Sequence, residues 1–262
     1  MNQQLSVVVM SWNRNWNDRL YHFLYTLAGN QTVKPYEILI IDSSTDQATI
    51  DSVIENVDRF REGYLSPVHL RTHFINPTEV PYKALSLNYG IKNTNEGSKY
   101  ILTTDIDMVF PPYWVENSLN KMNEGTFLLS EPSKMSEQFN KELDSIDWNT
   151  VEWDKLYNRS IPWGKAKGPG NGQFMPREWI FKVHGYNEIF NRGQDGLDMD
   201  LWRRAAKDGL DAKWQYRNDN KFLHLYHDIS GWKGKNHRLM NVQYDKRNPD
   251  VIVNTDGEWG EV

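Results

Sequence analysis

Cysteine is absent from the 262 residues. That excludes disulfides, thiol nucleophiles and thiolate metal sites, and it fits a reducing, cytoplasmic setting. Positive charge is also short: 30 Lys and Arg stand against 35 Asp and Glu, a formal net charge of −5. A chain that binds nucleic acid at large needs a basic face to neutralise phosphates, so this balance argues against such a partner. Long hydrophobic runs are missing too. The apolar run near the N-terminus covers residues 5–10, broken by Ser6, and is far too short to span a bilayer. The expectation is a soluble protein, with peripheral membrane association left open. Finally, no Gly-x-Gly-x-x-Gly follows the first strand pattern, which counts against an NAD-type site.

Aromatic residues are plentiful, with 11 Trp, 13 Tyr and 10 Phe. Such rings either fill a core or stack on the flat C–H faces of sugars, and composition alone favours the core. The first third alternates two periodicities. Short β-branched runs at residues 6–10, 36–41, 68–75 and 99–104 read as strands. Segments 17–28, 46–57 and 83–93 carry apolar residues at helical spacing and read as helices. Strands separated by helices imply βαβ crossovers and a mainly parallel sheet, in which ligands bind beyond the strands' carboxyl ends. Three polar clusters fall at those ends: residues 11–14, 42–44 and 105–107. They are expected to meet in one crevice.

Later segments are less regular. Residues 127–130, 213–217 and 222–227 read as strands, and 176–183 and 197–207 as helices. Between them, residues 131–168 form a polar stretch bearing Trp148, Trp153 and Trp163, longer than an ordinary connection and read as a lid or subdomain. A Gly-rich loop follows at 168–172. With no repeat and no linker, the chain reads as a single compact α/β domain. Its halves are 1–108 and 109–262, with the insert at 131–168.

Three groups of residues could carry chemistry. Asp105 and Asp107 cap an apolar strand, where two hard oxygen ligands would suit Mg²⁺ or Mn²⁺ bridging to a diphosphate. A solvated turn explains the same tripeptide equally well. His224 and His227 are three apart, so they share a face in a turn and oppose each other in a regular strand. Joint metal binding therefore requires the strand to end or bend between them; one core and one surface histidine is the plainer alternative. Asp195, Asp198 and Asp200 cluster at a helix start, where the dipole favours acids with no catalytic role. One of them could instead serve as general base.

In sequence order these residues resemble the GT-A glycosyltransferases of family 2. Ser6-Val7-Val8-Val9-Met10-Ser11-Trp12-Asn13-Arg14 is similar to their opening strand, and Ile41 to Asp46 to their V-D-D-G-S-T-D. Leu87-Asn88-Tyr89-Gly90-Ile91, followed by residues 100–107, resembles R-N-x-G-I and the D-x-D strand. Further on, Gly185-Tyr186-Asn187-Glu188, then Leu197-Asp198-Met199-Asp200 with Arg204, and finally His224-x-x-His227 resemble the β-1,4-galactosyltransferase C-terminal pattern. Met10-Ser11 replaces the usual Pro-Thr, Leu87 replaces Arg, and Leu197 replaces the Glu of an E-D pair. The last change leaves Asp195 and Gln194 as candidates for part of the base's role.

The resemblance implies a GT-A, Rossmann-like fold and an inverting transfer from a UDP-sugar to a carbohydrate or glycolipid hydroxyl. It implies a nucleotide held by Ser11, Asn13, Arg14 and Asp42, with Asp105, Ile106, Gly172 and Gln173 also at the donor. It implies Mn²⁺ or Mg²⁺ on Asp107, His224 and His227, and Asp198 as base. Trp163 and the 168–172 loop are expected lid or acceptor contacts. Two alternatives stand beside it: a nucleotidyltransferase, which would normally carry a Gly-rich basic phosphate loop after the first strand, and a non-catalytic carbohydrate-binding protein.

Overall fold

A computed structural model describes residues 4–13, 18–78, 81–162, 172–190, 196–215, 220–227 and 248–262. The first strand, β1 (Leu5–Ser11), leads into helix α1 (Arg19–Leu24), which widens into a π-helical turn at Tyr25–Gly29. Next come β2 (Glu37–Asp42), α2 (Gln47–Gly63), β3 (His69–Phe74), α3 (Lys83–Lys92) and β4 (Tyr100–Thr103). Asp46 caps α2, accepting from the Thr49 amide at 3.1 Å and its hydroxyl at 2.8 Å, as a short acidic side chain before a helix does. The second half carries β5 (Met108–Val109), α4 (Trp114–Leu119), β6 (Thr126–Ser130), β7 (Ser133–Lys134), α5 (Glu137–Asn140), α6 (Trp153–Arg159) and β8 (Ile161–Pro162). It closes with β9 (Gln173–Pro176), α7 (Arg177–Lys182), α8 (Leu197–Lys207), β10 (Asp211–Gln215) and β11 (Leu223–His224).

Seven strands form one sheet in the order β10-β6-β9-β4-β1-β2-β3. All neighbours are parallel except β9, which runs antiparallel to both β4 and β6. This is the mixed, mainly parallel α/β sheet that the alternating periodicity implies, and strands from both sides of residue 108 build it. Residues 5–9 of β1 are buried on both faces, hence the continuous apolar run rather than an alternating one. Side chains pointing one way (Val7, Val9, Ile38, Ile40) join Phe23, Leu27 and Phe60 in one core layer. Those pointing the other way (Val8, Leu39, Ile41) join Leu87, Ile91 and Ile101 in the second. Each such burial contributes on the order of 1.5–3 kcal/mol against leaving the side chain in water. Gly90 on α3 is there for contact: a Cβ would sit 2.4 Å from Val8 Cγ1.

Residues 131–162 are built as a subdomain with a core of its own. Met135, Phe139, Leu143, Trp148 and Leu156 pack with Val109, Leu223 and Leu225. Four short strands, ordered β5-β11-β7-β8, tie it to the metal-ligand candidates. Trp148 is 3% exposed and stacks on Trp153 at 5.4 Å, so it serves packing rather than sugar stacking. Its indole N–H donates to His22 Nδ1 at 2.9 Å, fastening the subdomain to α1.

Several boundaries differ from the sequence expectation. The first helix gives way to the π turn after Leu24, where the Thr26 hydroxyl bonds back to the His22 carbonyl at 2.9 Å. The strand expected over 222–227 ends at His224. Strand β9, unexpected from its four residues, lies in the middle of the sheet.

Candidate active site

The central strands β4, β1 and β2 lie side by side, and the polar clusters following them share the sheet's carboxyl edge. Ser11 pairs in register with Asp42. Asp42 is 1% exposed, and both its oxygens are held by Ser44, through the amide at 2.9 Å and the hydroxyl at 3.2 Å. Asn13 takes a left-handed φ of 35° and locks the two loops together. Its carbonyl oxygen accepts from the amides of Thr45 at 2.7 Å and Asp46 at 3.1 Å, while its amide group donates to the Thr45 hydroxyl at 2.8 Å. The side chain of Asn13 is thus committed within the protein. Arg14 lies outside the described residues, as do Trp163, residues 168–171, Gln194 and Asp195.

Beyond β4 the chain turns at residues 105–107, and the turn sends the two acids to different partners. Ile106 is fully buried in the core, so only its backbone can face a ligand. Asp105 accepts from Lys83 Nζ at 3.1 Å. Asp107 faces the histidines instead: His224 Nε2 lies 3.6 Å from its Oδ1, and His227 Nε2 lies 3.3 Å from its Oδ2. The strand ends at His224, and the chain bends so that both rings face one carboxylate, their centroids 5.1 Å apart. The condition that the His-x-x-His spacing imposed is met.

One donor atom from each of Asp107, His224 and His227 falls within a 4.8 Å span. Metal–ligand bonds of about 2.1 Å place two donors on one ion at most ~4.2 Å apart, so this set closes on an ion with slight side-chain rotation. A carboxylate and two neutral imidazoles make a mixed O/N donor set suited to a divalent transition ion. Among the described residues Asp105 is no member of this cluster, which separates the D-x-D pair into one ion ligand candidate and one lysine partner.

Asp198 and Asp200 are separated in the same manner by the phase of α8. Asp200 is buried and receives Arg204 Nε at 3.0 Å. Arg204, with no exposed surface, also donates to the carbonyls of Val183, Gly185 and Val251. That makes the pair a clamp rather than a reaction centre. Asp198, in the first turn of α8, stands close enough to Lys83 and Asp105 to feel both charges. Burial raises its pKa above the ordinary aspartate range, with Asp105 adding to the shift and Lys83 opposing it. Burial alone would lower the pKa of Lys83, but Asp105 and Asp198 outweigh it and hold the ammonium firmly charged.

A buried hydrogen-bond chain supports that position. The Tyr186 hydroxyl lies 2.5 Å from Thr103 Oγ1 and donates to Gln173 Oε1 at 2.6 Å, and Gln173 Nε2 donates to the Asp198 carbonyl at 3.2 Å. Gln173 is fully buried, so its amide holds the start of α8 in place. Gly172 packs beneath the site, where a Cβ would lie 3.3 Å from Ser130 Cβ, and its carbonyl accepts the Ser130 amide. Lys83 and Tyr186 were not singled out as site residues from sequence. The available signal was a lysine at the start of a helix, in phase with the apolar positions Ala84, Leu87 and Ile91.

A family model described as glycosyl transferase family 2 matches residues 6–183. The chain belongs to that family. The matched span reaches from β1 through the D-x-D turn to the end of α7. Among solved structures it is similar to a mannosyltransferase, PcManGT, from Pyrobaculum calidifontis in complex with GDP-Man and Mn²⁺: 16% identity, TM-score 0.57, covering 87% of this chain and 58% of that one. TarS from S. aureus gives 14% identity and TM-score 0.56, over 85% and 37%. GalNAc-T7 with UDP, GalNAc and Mn²⁺ gives 13% identity and TM-score 0.60, over 94% and 49%. At these identities the likeness is one of fold, the GT-A type, and this chain spans roughly a third to three fifths of those chains' lengths. No curated protein matches the sequence. No helix among the described residues is long and apolar enough to cross a membrane.

Proposed function

We propose that this glycosyltransferase moves a sugar from UDP to a carbohydrate or glycolipid hydroxyl, with inversion, and that Mn²⁺ supports the transfer. The observation that carries the reading is the convergence of Asp107, His224 and His227 on one point beside the sheet edge. Asp107, His224 and His227 would hold the ion, whose charge stabilises the departing diphosphate. Two imidazoles favour Mn²⁺ over Mg²⁺, which prefers all-oxygen shells. Mn²⁺ also accompanies two of the structurally similar proteins, with GDP-Man in one and with UDP and GalNAc in the other.

Asp198 takes the proton of the acceptor hydroxyl as that oxygen attacks the anomeric carbon from the face opposite the leaving diphosphate. A carboxylate with raised proton affinity is a stronger base than an exposed aspartate, which is what this step requires. Lys83, between Asp105 and Asp198, balances the two negative charges. The Tyr186–Gln173 pair fixes the helix start that carries the base. Asp42, Ser11 and Asp105 would line the nucleotide side, and the acceptor would approach from the side of residues 185–227, whose motifs resemble those of galactosyltransferases. The parts of the reading form one domain, with donor half 1–108, acceptor half 109–262, and a cytoplasmic setting.

Isothermal titration with UDP tests the donor. Binding should strengthen when Mn²⁺ is added to the wild type and should show no Mn²⁺ effect in Asp107→Ala. Equal UDP affinity with and without Mn²⁺, or preference for GDP or CMP, would overturn the UDP–Mn²⁺ reading.

A further inference from the structure

The bend that brings His227 back to Asp107 is held by a side chain from the subdomain, and nothing in the family resemblance supplies that residue. Up to Leu225 the chain is held by backbone partners on both sides. The His224 carbonyl accepts the Met135 amide at 2.8 Å, and the Leu225 amide donates to the Asp107 carbonyl at 2.8 Å. At Tyr226, the residue between Leu225 and His227, those ladders find no further backbone partner among the described residues. Asn140, the last residue of α5, takes their place. Its Oδ1 accepts the Tyr226 amide at 3.2 Å and its Nδ2 donates to the Tyr226 carbonyl at 2.5 Å. A primary amide matches a peptide's donor and acceptor at once, so one side chain replaces a strand partner for a single residue. Without it, the Tyr226 backbone loses both of these bonds, and His227 is the next residue along.

The geometry points to Asn140 as the positioning residue of the ion site: it fixes the Tyr226 peptide so that His227 Nε2 faces Asp107. This inference rests on the proposed ion site and gives residues 131–162 a role in it. Partners of this kind, one step behind a ligand, commonly change metal affinity by about 10–100-fold when removed.

Mn²⁺ titration followed by the EPR signal of the free ion measures this without any turnover. Wild type should bind Mn²⁺ and Asp107→Ala should not. Asn140→Ala should bind about 10–100-fold more weakly. Asn140→Asp should also bind more weakly, because it sets a carboxylate oxygen against the Tyr226 carbonyl. Ser136→Ala is the control for general loosening: its hydroxyl caps the same helix through the Phe139 amide but does not touch Tyr226. It should bind like wild type. Wild-type affinity in Asn140→Ala, or an equal loss in Ser136→Ala, would overturn the role given to Asn140 and leave the ion site standing. Equal binding by wild type and Asp107→Ala would remove the ion site and this inference with it.

Discussion

Asp198 and Asp200 show how two identical side chains, two residues apart, acquire different chemistry. Asp200 is neutralised by Arg204 inside a packed clamp, whereas Asp198 is desolvated beside a lysine it shares with Asp105. Asp198→Asn keeps the shape and removes the base, so kcat should fall by about 10²–10⁴-fold. In the wild type, activity should be lost as pH falls through the raised pKa of Asp198, placing the acid limb of the kcat profile above the ordinary aspartate range; a limb at the ordinary value would argue for another base. Stability should move the other way. Because the folded-state pKa lies above the unfolded value, the protonated group favours the fold, and that contribution is lost as pH rises through the folded pKa. Asp198→Asn should therefore melt higher than wild type in mildly alkaline buffer, with the gap closing as pH falls. Differential scanning fluorimetry across pH reads this directly.

At this scale the sequence was informative where a residue type is rare or sits in a pattern. Asp107, His224 and His227 fall together, which the resemblance implied and the spacing alone left open, and Asp198 stands near Lys83 and Asp105. Lys83 was hidden because a lysine at a helix start ordinarily reads as solvated; only the fold sets Asp105 and Asp198 around it. Asn13 and Gln173 stand where ligand contacts were expected, yet their amides are spent on Thr45, Asp46, Tyr186 and Asp198. Sequence position marks the neighbourhood of a site, but the partners of an amide are decided in three dimensions.

Among the elements, α8 joins site and scaffold. Its inward face carries Leu197, Leu201 and Ala205 into the core, and Arg204 ties it to the ends of α7 and the 251 region. Gly185 follows, with φ of +70° and Asn88 Oδ1 only 2.2 Å from where a Cβ would stand. Asn88 in turn receives the Tyr186 amide at 2.7 Å. The Gly-Tyr-Asn-Glu motif is therefore a shaped backbone loop that delivers Tyr186 to Gln173. Arg204→Met takes the guanidinium from buried Asp200 and one donor from each of three carbonyls. The cost should be about 3–5 kcal/mol in urea unfolding. Asp200→Asn/Arg204→Met together should recover part of it, since the charge goes with its partner; a double variant no more stable than the single would argue against the clamp.

Helices longer than about ten residues, α2, α3 and α8, were legible from periodicity. The short elements were not. Strand β9 has four residues, closes on Pro176 and follows a Gly-rich loop, so its pattern is indistinguishable from a connection. Its antiparallel place between β4 and β6 comes from pairing with residues more than forty positions away. Likewise α5 and α6 are brief pieces stabilised by a shared core around Trp148, which local periodicity cannot reveal.

Across the whole molecule, the order of strands and helices was the strongest signal, because a parallel sheet with right-handed crossovers leaves few topologies. It placed the three polar clusters on one edge, and the fold confirms that edge. Residues 248–262 show the opposite case. Asn254 bonds the Tyr186 and His184 carbonyls, and the Gly260 amide donates to Glu188, so the C-terminal stretch braces the site loop from far away in sequence. No pattern within those residues announces it.

The measurement closest to the central claim is UDP release from a panel of UDP-sugars with Mn²⁺ and a mixed acceptor pool, in wild type, Asp107→Ala and Asp198→Asn, each with and without EDTA. One donor should turn over in the wild type, stop with EDTA, and fall sharply in both variants. Turnover that survives EDTA and persists in Asp107→Ala would contradict an ion site at Asp107, His224 and His227.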